Sequence, residues 1–129
     1  MSVASITAQL NAVIGEIAAH NTARALVVAV KTSCQAEVGT WEGNYSTLAG
    51  DDTLMNVRKD DVFEGEMAEG MKSRVADIMN DINISLTRAR NIETALGSQV
   101  TRLDNEITRL ESQRQSLQVA LEFALHSLV

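Results

Sequence analysis

The sequence predicts an all-α protein, an elongated antiparallel helical hairpin whose second helix is long and coiled-coil-like. Proline is absent from all 129 residues, so nothing in the chain forces a helix to break. Hydrophobic residues make up 45% of the chain but aromatic residues only 3%, which leaves few large side chains to fill a globular core. The C-terminal part repeats an apolar residue at alternating spacings of four and three, which is the pattern of a long helix that packs on another helix.

The first element is predicted to be a helix over about residues 2–48. Ser2 or Ser5 can cap its start, because a serine hydroxyl accepts a hydrogen bond from the first free backbone amides. Gly39 and Gly43 favour an early end or a loosening of its last turns. One face is apolar and comprises Val3, Ile6, Leu10, Val13, Ile17, Val27, Cys34, Val38, Trp41, Tyr45 and Leu48.

The second element is a connector over about residues 49–61, which opens with the turn-forming sequence Ala-Gly-Asp-Asp-Thr. Two helices joined by one connector form a single helical-hairpin domain over residues 1–129. The first helix is the shorter of the two.

The third element is a long helix over about residues 62–128. Two apolar columns run along it, four residues apart, and we call them together the seam. The first column is Ile82, Ala89, Leu96, Leu103, Leu110, Leu117 and Ala124. The second column is Leu86, Val100, Ile107, Leu121 and Leu128, interrupted by Glu93 and Arg114. Either these two charges fix register or partner choice, or the seam rotates locally, with Ile92 in place of Glu93 and both charges in solvent.

A two-helix hairpin buries only one face of each helix and is marginal alone, so a helical partner is expected. Further apolar residues beside the seam favour a bundle of more than two helices; they are Ile84, Ile92, Val119, Phe123 and Leu125. The partner is another helical protein or a second copy of the chain. The residues predicted to bind it are Leu96, Val100, Leu103, Ile107, Leu110, Leu117 and Leu121.

Composition argues against several other functions. A net charge of -6 disfavours nucleic acid, which needs Lys and Arg at its phosphates. Cys34 is the only cysteine, and neither His20 nor His126 has further ligands at metal-site spacing. We therefore expect no enzyme activity, no catalytic residues, no metal or other cofactor and no small-molecule substrate.

The N-terminal residues lack the basic and apolar regions of a secretory signal. The longest strongly apolar run, residues 25–30, is too short to cross a bilayer. These features predict no direct membrane insertion. The expected location is the cytoplasm, or the exterior if the chain is exported without a cleaved signal as part of a complex.

Two short motifs combine an aromatic residue with a glycine two places later, namely Trp41-Glu42-Gly43 and Phe63-Glu64-Gly65. The ring can lie across a neighbouring helix, and the glycine lets a backbone approach closely or turn. In isolation either motif would be read first as an aromatic plug at the end of a hairpin.

Together with the seam, these motifs give the chain a resemblance to the WXG-type helical-hairpin proteins of type VII secretion in Gram-positive bacteria. It is most similar to the small helical partner proteins of LXG toxins. The resemblance implies a non-enzymatic adaptor that packs against the helical N-terminal region of a toxin, alone or with a second small helical protein, and helps present it to the secretion machine. Trp41 and Gly43 match the family motif, and with Phe63 and Gly65 they are the expected motif or recognition residues.

The chain departs from that family in two respects. The family's secretion signal places an acid four residues after an aromatic, whereas Ala49 follows Tyr45, Met67 follows Phe63 and Ser127 follows Phe123. The family also places its tryptophan in a short turn, whereas in this chain the longer connector over about residues 49–61 follows the helix that carries Trp41. The competing hypotheses are a homo-oligomeric structural coiled coil and a chaperone of another secretion system.

Overall fold

A computed structural model describes residues 2–50 and 66–128, which form two α-helices. Helix α1 runs over Val3–Ala49 and helix α2 over Glu66–His126. Within these ranges there is no strand, and the two helices pack against each other in antiparallel fashion. The predicted all-α helical hairpin is therefore confirmed. Most of the predicted connector, residues 51–61, and the predicted start of the second helix lie outside the described residues.

The ends of α1 follow from local hydrogen bonds. The Ser5 amide donates to Ser2 Oγ at 3.0 Å and the Ile6 amide donates to the Ser2 carbonyl at 3.0 Å, so Ser2 rather than Ser5 is the cap. The helix continues through Gly39 and Gly43 and does not end early at either glycine. The low helix propensity of glycine at two positions costs less free energy than the packing of the neighbouring turns contributes.

The chain forms two compact units, and each contains one stretch of α1 and one of α2. Unit 1 comprises Met1–Val30 and Leu96–Val129, and unit 2 comprises Lys31–Ala95. In unit 1, Val13 and Ile17 of α1 pack with Leu110 and Leu117 of α2. Leu110 has no exposed surface. Arg24 forms an ion pair with Asp104 beside this core.

Unit 2 has its own small core. Its buried side chains are Val38 of α1 and Val75, Met79 and Leu86 of α2. Cys34 is half-buried, and its thiol donates to the Ala89 carbonyl at 3.5 Å. Each unit is therefore held by one apolar stripe from each helix, as the two predicted faces require.

Candidate protein-interaction surfaces

The seam of α2 lies on the side of the helix that packs against α1. Leu110 and Leu86 are buried, and the other seam residues are half-buried except Leu128, which is 75% exposed. The residues predicted to bind a partner are therefore in contact with α1 or partly accessible beside it. Their role toward a partner stays a prediction.

The two charged seam positions lie on the seam itself. Glu93 is half-buried and accepts a hydrogen bond from Gln35 Nε2 at 3.0 Å, whereas Ile92 is 56% exposed. Arg114 donates Nη2 to Glu111 at 2.7 Å, but its Nε is buried and has no acceptor within the described part of the chain. The seam does not rotate to replace Glu93 with Ile92.

The seam begins earlier than the sequence prediction placed it. Val75 and Met79, at 9% and 8% exposure, continue the same alternation of four and three toward the start of α2. The pattern was visible in the sequence, because Val75 lies seven residues before Ile82 and Met79 lies seven before Leu86.

Trp41 and Gly43 lie inside α1, more than one turn before its end at Ala49, and not in a turn. Trp41 occupies a position of the apolar face but is 46% exposed. Gly43, two residues on, lies on nearly the opposite side of the helix, and a Cβ added there would meet nothing within 4 Å. The two residues therefore do not form one local surface. Phe63 and Gly65 lie outside the described residues.

Unit 1 has an open apolar groove where the start of α1 lies beside the end of α2. The groove has a volume of about 950 Å³. Val3, Ala4 and Ile6 line it on one side, and Val119 and Phe123, 60% and 75% exposed, line it on the other. Large apolar side chains that face solvent in this way are typical of a surface that another molecule covers.

The side of α1 that points away from α2 in unit 1 is exposed and carries no charge. We call it the outer face of α1. Its members recur at helical spacing along about seven turns. They are Ala4, Ser5, Ala8, Asn11, Ala12, Gly15, Ala18, Ala19, Thr22, Ala25, Leu26 and Ala29.

The corresponding face of α2 in unit 1 differs sharply in chemistry. It includes Arg102, Asn105, Arg109 and Glu122, all exposed, as expected of a helix face in water. By contrast, Arg24 of α1 pairs with Asp104 of α2, and Glu16 is exposed at the border of the outer face, one turn from Ala12 and Ala19. The solvent-facing side of α2 in unit 1 thus carries charged residues together with the exposed Val119 and Phe123, whereas the outer face of α1 is uncharged.

Among the described residues, the pKa values that depart from their ordinary range belong to one ion pair in unit 1. Glu106 and Arg109 lie one turn apart, and Arg109 Nη2 donates to Glu106 Oε1 at 2.5 Å. The hydrogen bond from Arg109 lowers the pKa of Glu106, and the same bond raises the pKa of Arg109. The side chains of Arg109 and Glu106 are 59% and 38% exposed, so solvent screens this pair and it is an ordinary surface ion pair.

Within residues 2–50 and 66–128, no cluster of three or more His, Cys, Asp or Glu side chains could hold a metal ion. Helix α1 contains a stretch that is long and apolar enough to cross a membrane by length and composition. The core helix of a soluble protein or a signal sequence can have the same length and composition.

Comparisons with known proteins gave no match. No protein-family model, no curated protein and no solved structure is similar to this chain at a significant level.

Proposed function

We propose that the protein is a non-enzymatic adaptor that binds a helical partner protein. The observation that carries this proposal is the balance of apolar surface. Nine hydrophobic side chains of the described residues are buried, whereas twelve large ones are exposed, among them Leu26, Ile78 and Phe123. A core this small gives marginal stability, and covering the exposed side chains would add about 25 cal/mol for each Å² removed from water.

The resemblance to the WXG-type hairpins supports a particular partner, the helical N-terminal region of an LXG toxin of a type VII secretion system. Trp41 supports a recognition role because a half-exposed tryptophan is a common anchor in protein interfaces. On this proposal the adaptor and toxin leave the cytoplasm together, with the acid-containing export signal supplied by another member of the complex.

The alternative is a homo-oligomeric coiled coil, because a second copy could cover the same exposed side chains. The two proposals differ in the state of the isolated chain. An adaptor without its toxin is a weakly stable monomer or a loose dimer, whereas a structural coiled coil forms one defined oligomer.

The test is size-exclusion chromatography with light scattering, on the chain alone and after co-expression with the product of the neighbouring gene, which the adaptor proposal expects to be a toxin with a helical N-terminal region. We expect a stable complex of defined mass and a rise in the melting temperature of the helical signal. A defined homo-oligomer that does not bind the toxin region would overturn the adaptor proposal in favour of the coiled coil.

Export is tested separately with two variants of unit 2. Trp41→Ala is expected to keep the complex but lose export from the producing cell. Ile92→Ala, whose side chain is also about half exposed, is expected to keep both. Equal export of the two variants would contradict a recognition role for Trp41.

A further inference from the structure

We propose that a hole in unit 2 takes one large apolar side chain of the helical partner, while Arg74 and Asp81 pair with charged residues of the same partner helix. This inference rests on the proposed function and names the anchor point of the partner. The hole lies between the end of α1 and the early turns of α2 and has a volume of about 100 Å³. The residues that line it are Leu48, Val75, Ile78 and Met79.

The hole has a buried floor and an open mouth. Val75 and Met79 belong to the core of unit 2 and are buried, so they form the floor. Leu48 of α1 is half-buried and Ile78 of α2 is 54% exposed, so these two residues form the mouth. A side chain can therefore enter from solvent between the two helices without displacing the core.

The lining of the hole determines the chemistry of its occupant. All four side chains that line it are apolar, so none of them offers a hydroxyl, an amide or a charged group. The volume equals that of about three water molecules at ~30 Å³ each, but a buried water needs two to four polar partners. A leucine, isoleucine, methionine or phenylalanine side chain loses no hydrogen bond on entering the hole and gains the transfer free energy of its apolar surface.

Two charges beside the mouth describe the rest of the partner helix. Arg74 lies four residues before Ile78 and Asp81 lies three residues after it, so both are one turn away on the same side of α2. Both are exposed, and neither forms an ion pair with another described residue. A helix that places an apolar side chain in the hole passes both charges. Complementary pairing then requires an acidic residue opposite Arg74 and a basic residue opposite Asp81.

Symmetry argues against a second copy of the chain as the occupant. In a two-fold contact the same surface lies on both chains, so the holes of two copies would meet mouth to mouth. Ile78 would then have to form the wall of its own hole and also fill the hole of the other copy. A partner with a different surface meets no such conflict.

The charges beside the mouth also argue against a membrane as the occupant. An anionic bilayer attracts Lys and Arg, but Arg74 is accompanied by the acidic Asp81, so the two together give no net attraction. The hole is also a recess between two helices, which a single side chain enters more readily than a flat surface does. The favoured occupant is therefore a helix with one large apolar residue between an acid and a base.

The first test uses two matched substitutions in the full chain. Ile78→Lys places a charge at the mouth of the hole. Ile84→Lys makes the same substitution at another exposed isoleucine of α2 in unit 2, which does not line the hole. Circular dichroism checks that both variants remain helical. Each is titrated with the product of the neighbouring gene and with a designed helix of about six turns that carries a central leucine.

We expect Ile78→Lys to bind both probes about thirtyfold more weakly than the unchanged chain, because the new charge would be buried without a partner. Ile84→Lys is expected to bind within about threefold of the unchanged chain. Equal binding by the two variants would overturn the hole as the binding site. Trp41 does not line the hole, so Trp41→Ala is expected to keep its binding.

The second test addresses the charges with two forms of the designed helix, which carry two glutamates or two lysines on either side of the central leucine. Arg74→Glu leaves two acids beside the mouth and should favour the lysine form by about tenfold. Asp81→Lys leaves two bases and should favour the glutamate form by a similar factor. Both preferences should weaken in high salt. Equal binding of the two forms by each variant would overturn the proposed pairing.

The remaining outcomes separate this inference from the proposed function. If only the designed helix binds and Ile78→Lys weakens it, the hole is supported and the neighbouring gene product is overturned as the partner. If that product binds both lysine variants equally, the adaptor proposal stands and the hole is overturned. A dimer of the chain alone that only Ile78→Lys abolishes, or binding to phosphatidylglycerol vesicles that only Ile78→Lys abolishes, would assign the hole to another occupant and overturn the inference.

Discussion

Arg90 of α2 donates both Nε and Nη2 to a single carboxylate oxygen of Glu42 in α1, at 3.0 and 2.5 Å. Glu42 is the middle residue of the Trp-x-Gly motif, the position at which the motif allows any residue. The motif therefore contributes to pairing between the helices of unit 2 through this variable position. Both side chains are about half exposed. Solvent therefore screens the pair, and its net contribution to stability is small.

For this pair we predict that Glu42→Gln lowers the free energy of unfolding by about 0.2–1 kcal/mol. The loss should shrink in high salt, because mobile ions screen exposed charges. Urea denaturation in low and high sodium chloride measures both effects. A double-mutant cycle with Arg90→Gln is the control, and full additivity would show that the two residues are not coupled.

Leu110→Ala is expected to be the most damaging single truncation in unit 1. Leu110 is fully buried against Val13 and Ile17, and removal of a buried leucine side chain costs about 2–5 kcal/mol. Urea denaturation followed by circular dichroism gives the change. Leu125→Ala, at 47% exposure, is the matched control and should cost much less. Equal losses would contradict the position of the core.

Arg114→Leu is expected to stabilise unit 1. The buried Nε of Arg114 has no acceptor among the described residues, and an unpaired buried donor costs about 1–3 kcal/mol. Leucine would extend the seam without that cost. The control is Arg102→Leu on the exposed face, which should change the free energy of unfolding by less than about 0.5 kcal/mol. A destabilised R114L protein would instead support a register-setting role for Arg114.

Gly15→Ala is expected to raise the free energy of unfolding by about 0.5–1 kcal/mol, because glycine inside a helix is less favourable than alanine and the new methyl group enters open space. Gly50→Ala offers a contrast, since its Cβ would lie 3.2 Å from the Ser46 carbonyl oxygen. Thermal melts of the two variants should shift in different amounts, with the larger gain at position 15. A loss of stability in G15A would mean that α1 contacts something at that position in the isolated chain.

The Glu106–Arg109 pair predicts a pH effect with a definite sign. Because the pKa of Glu106 is lower in the folded chain than its ordinary value, the pair stabilises the fold above the ordinary pKa. That contribution is lost as the pH falls through the lowered value. An NMR titration of the Glu106 side chain should give a higher pKa in Arg109→Gln than in the unchanged chain. An unchanged value would show that the hydrogen bond is not formed in solution.

Hydrophobic periodicity was sufficient to predict which sides of the helices meet. It placed Ile6, Val13 and Leu110 at buried positions, since spacings of three and four leave little freedom in assigning a face. It did not decide whether Glu93 lies on the seam or in solvent, because a small rotation of the helix is enough to solvate one charge. The hydrogen bond from Gln35 depends on the register of α1 against α2, which no local pattern encodes.

The outer face of α1 was harder to recognise. It is marked by the absence of charge at exposed positions such as Ala12 and Ala19. That absence can be recognised only when the side of α1 that packs against α2 is known. The exposure of Trp41 was also not predictable. Its spacing assigns it to the apolar face, and only the packing in unit 2 leaves 46% of the residue uncovered.

The half-exposed position of Trp41 has a practical consequence. Since the chain contains one tryptophan, the ultraviolet-excited emission of the whole protein arises almost entirely from a single place near the end of α1. The wavelength of that emission depends on contact of the indole with water. The protein therefore carries a built-in optical reporter, and a blue shift on addition of another molecule would locate contact at this point of unit 2 without any label.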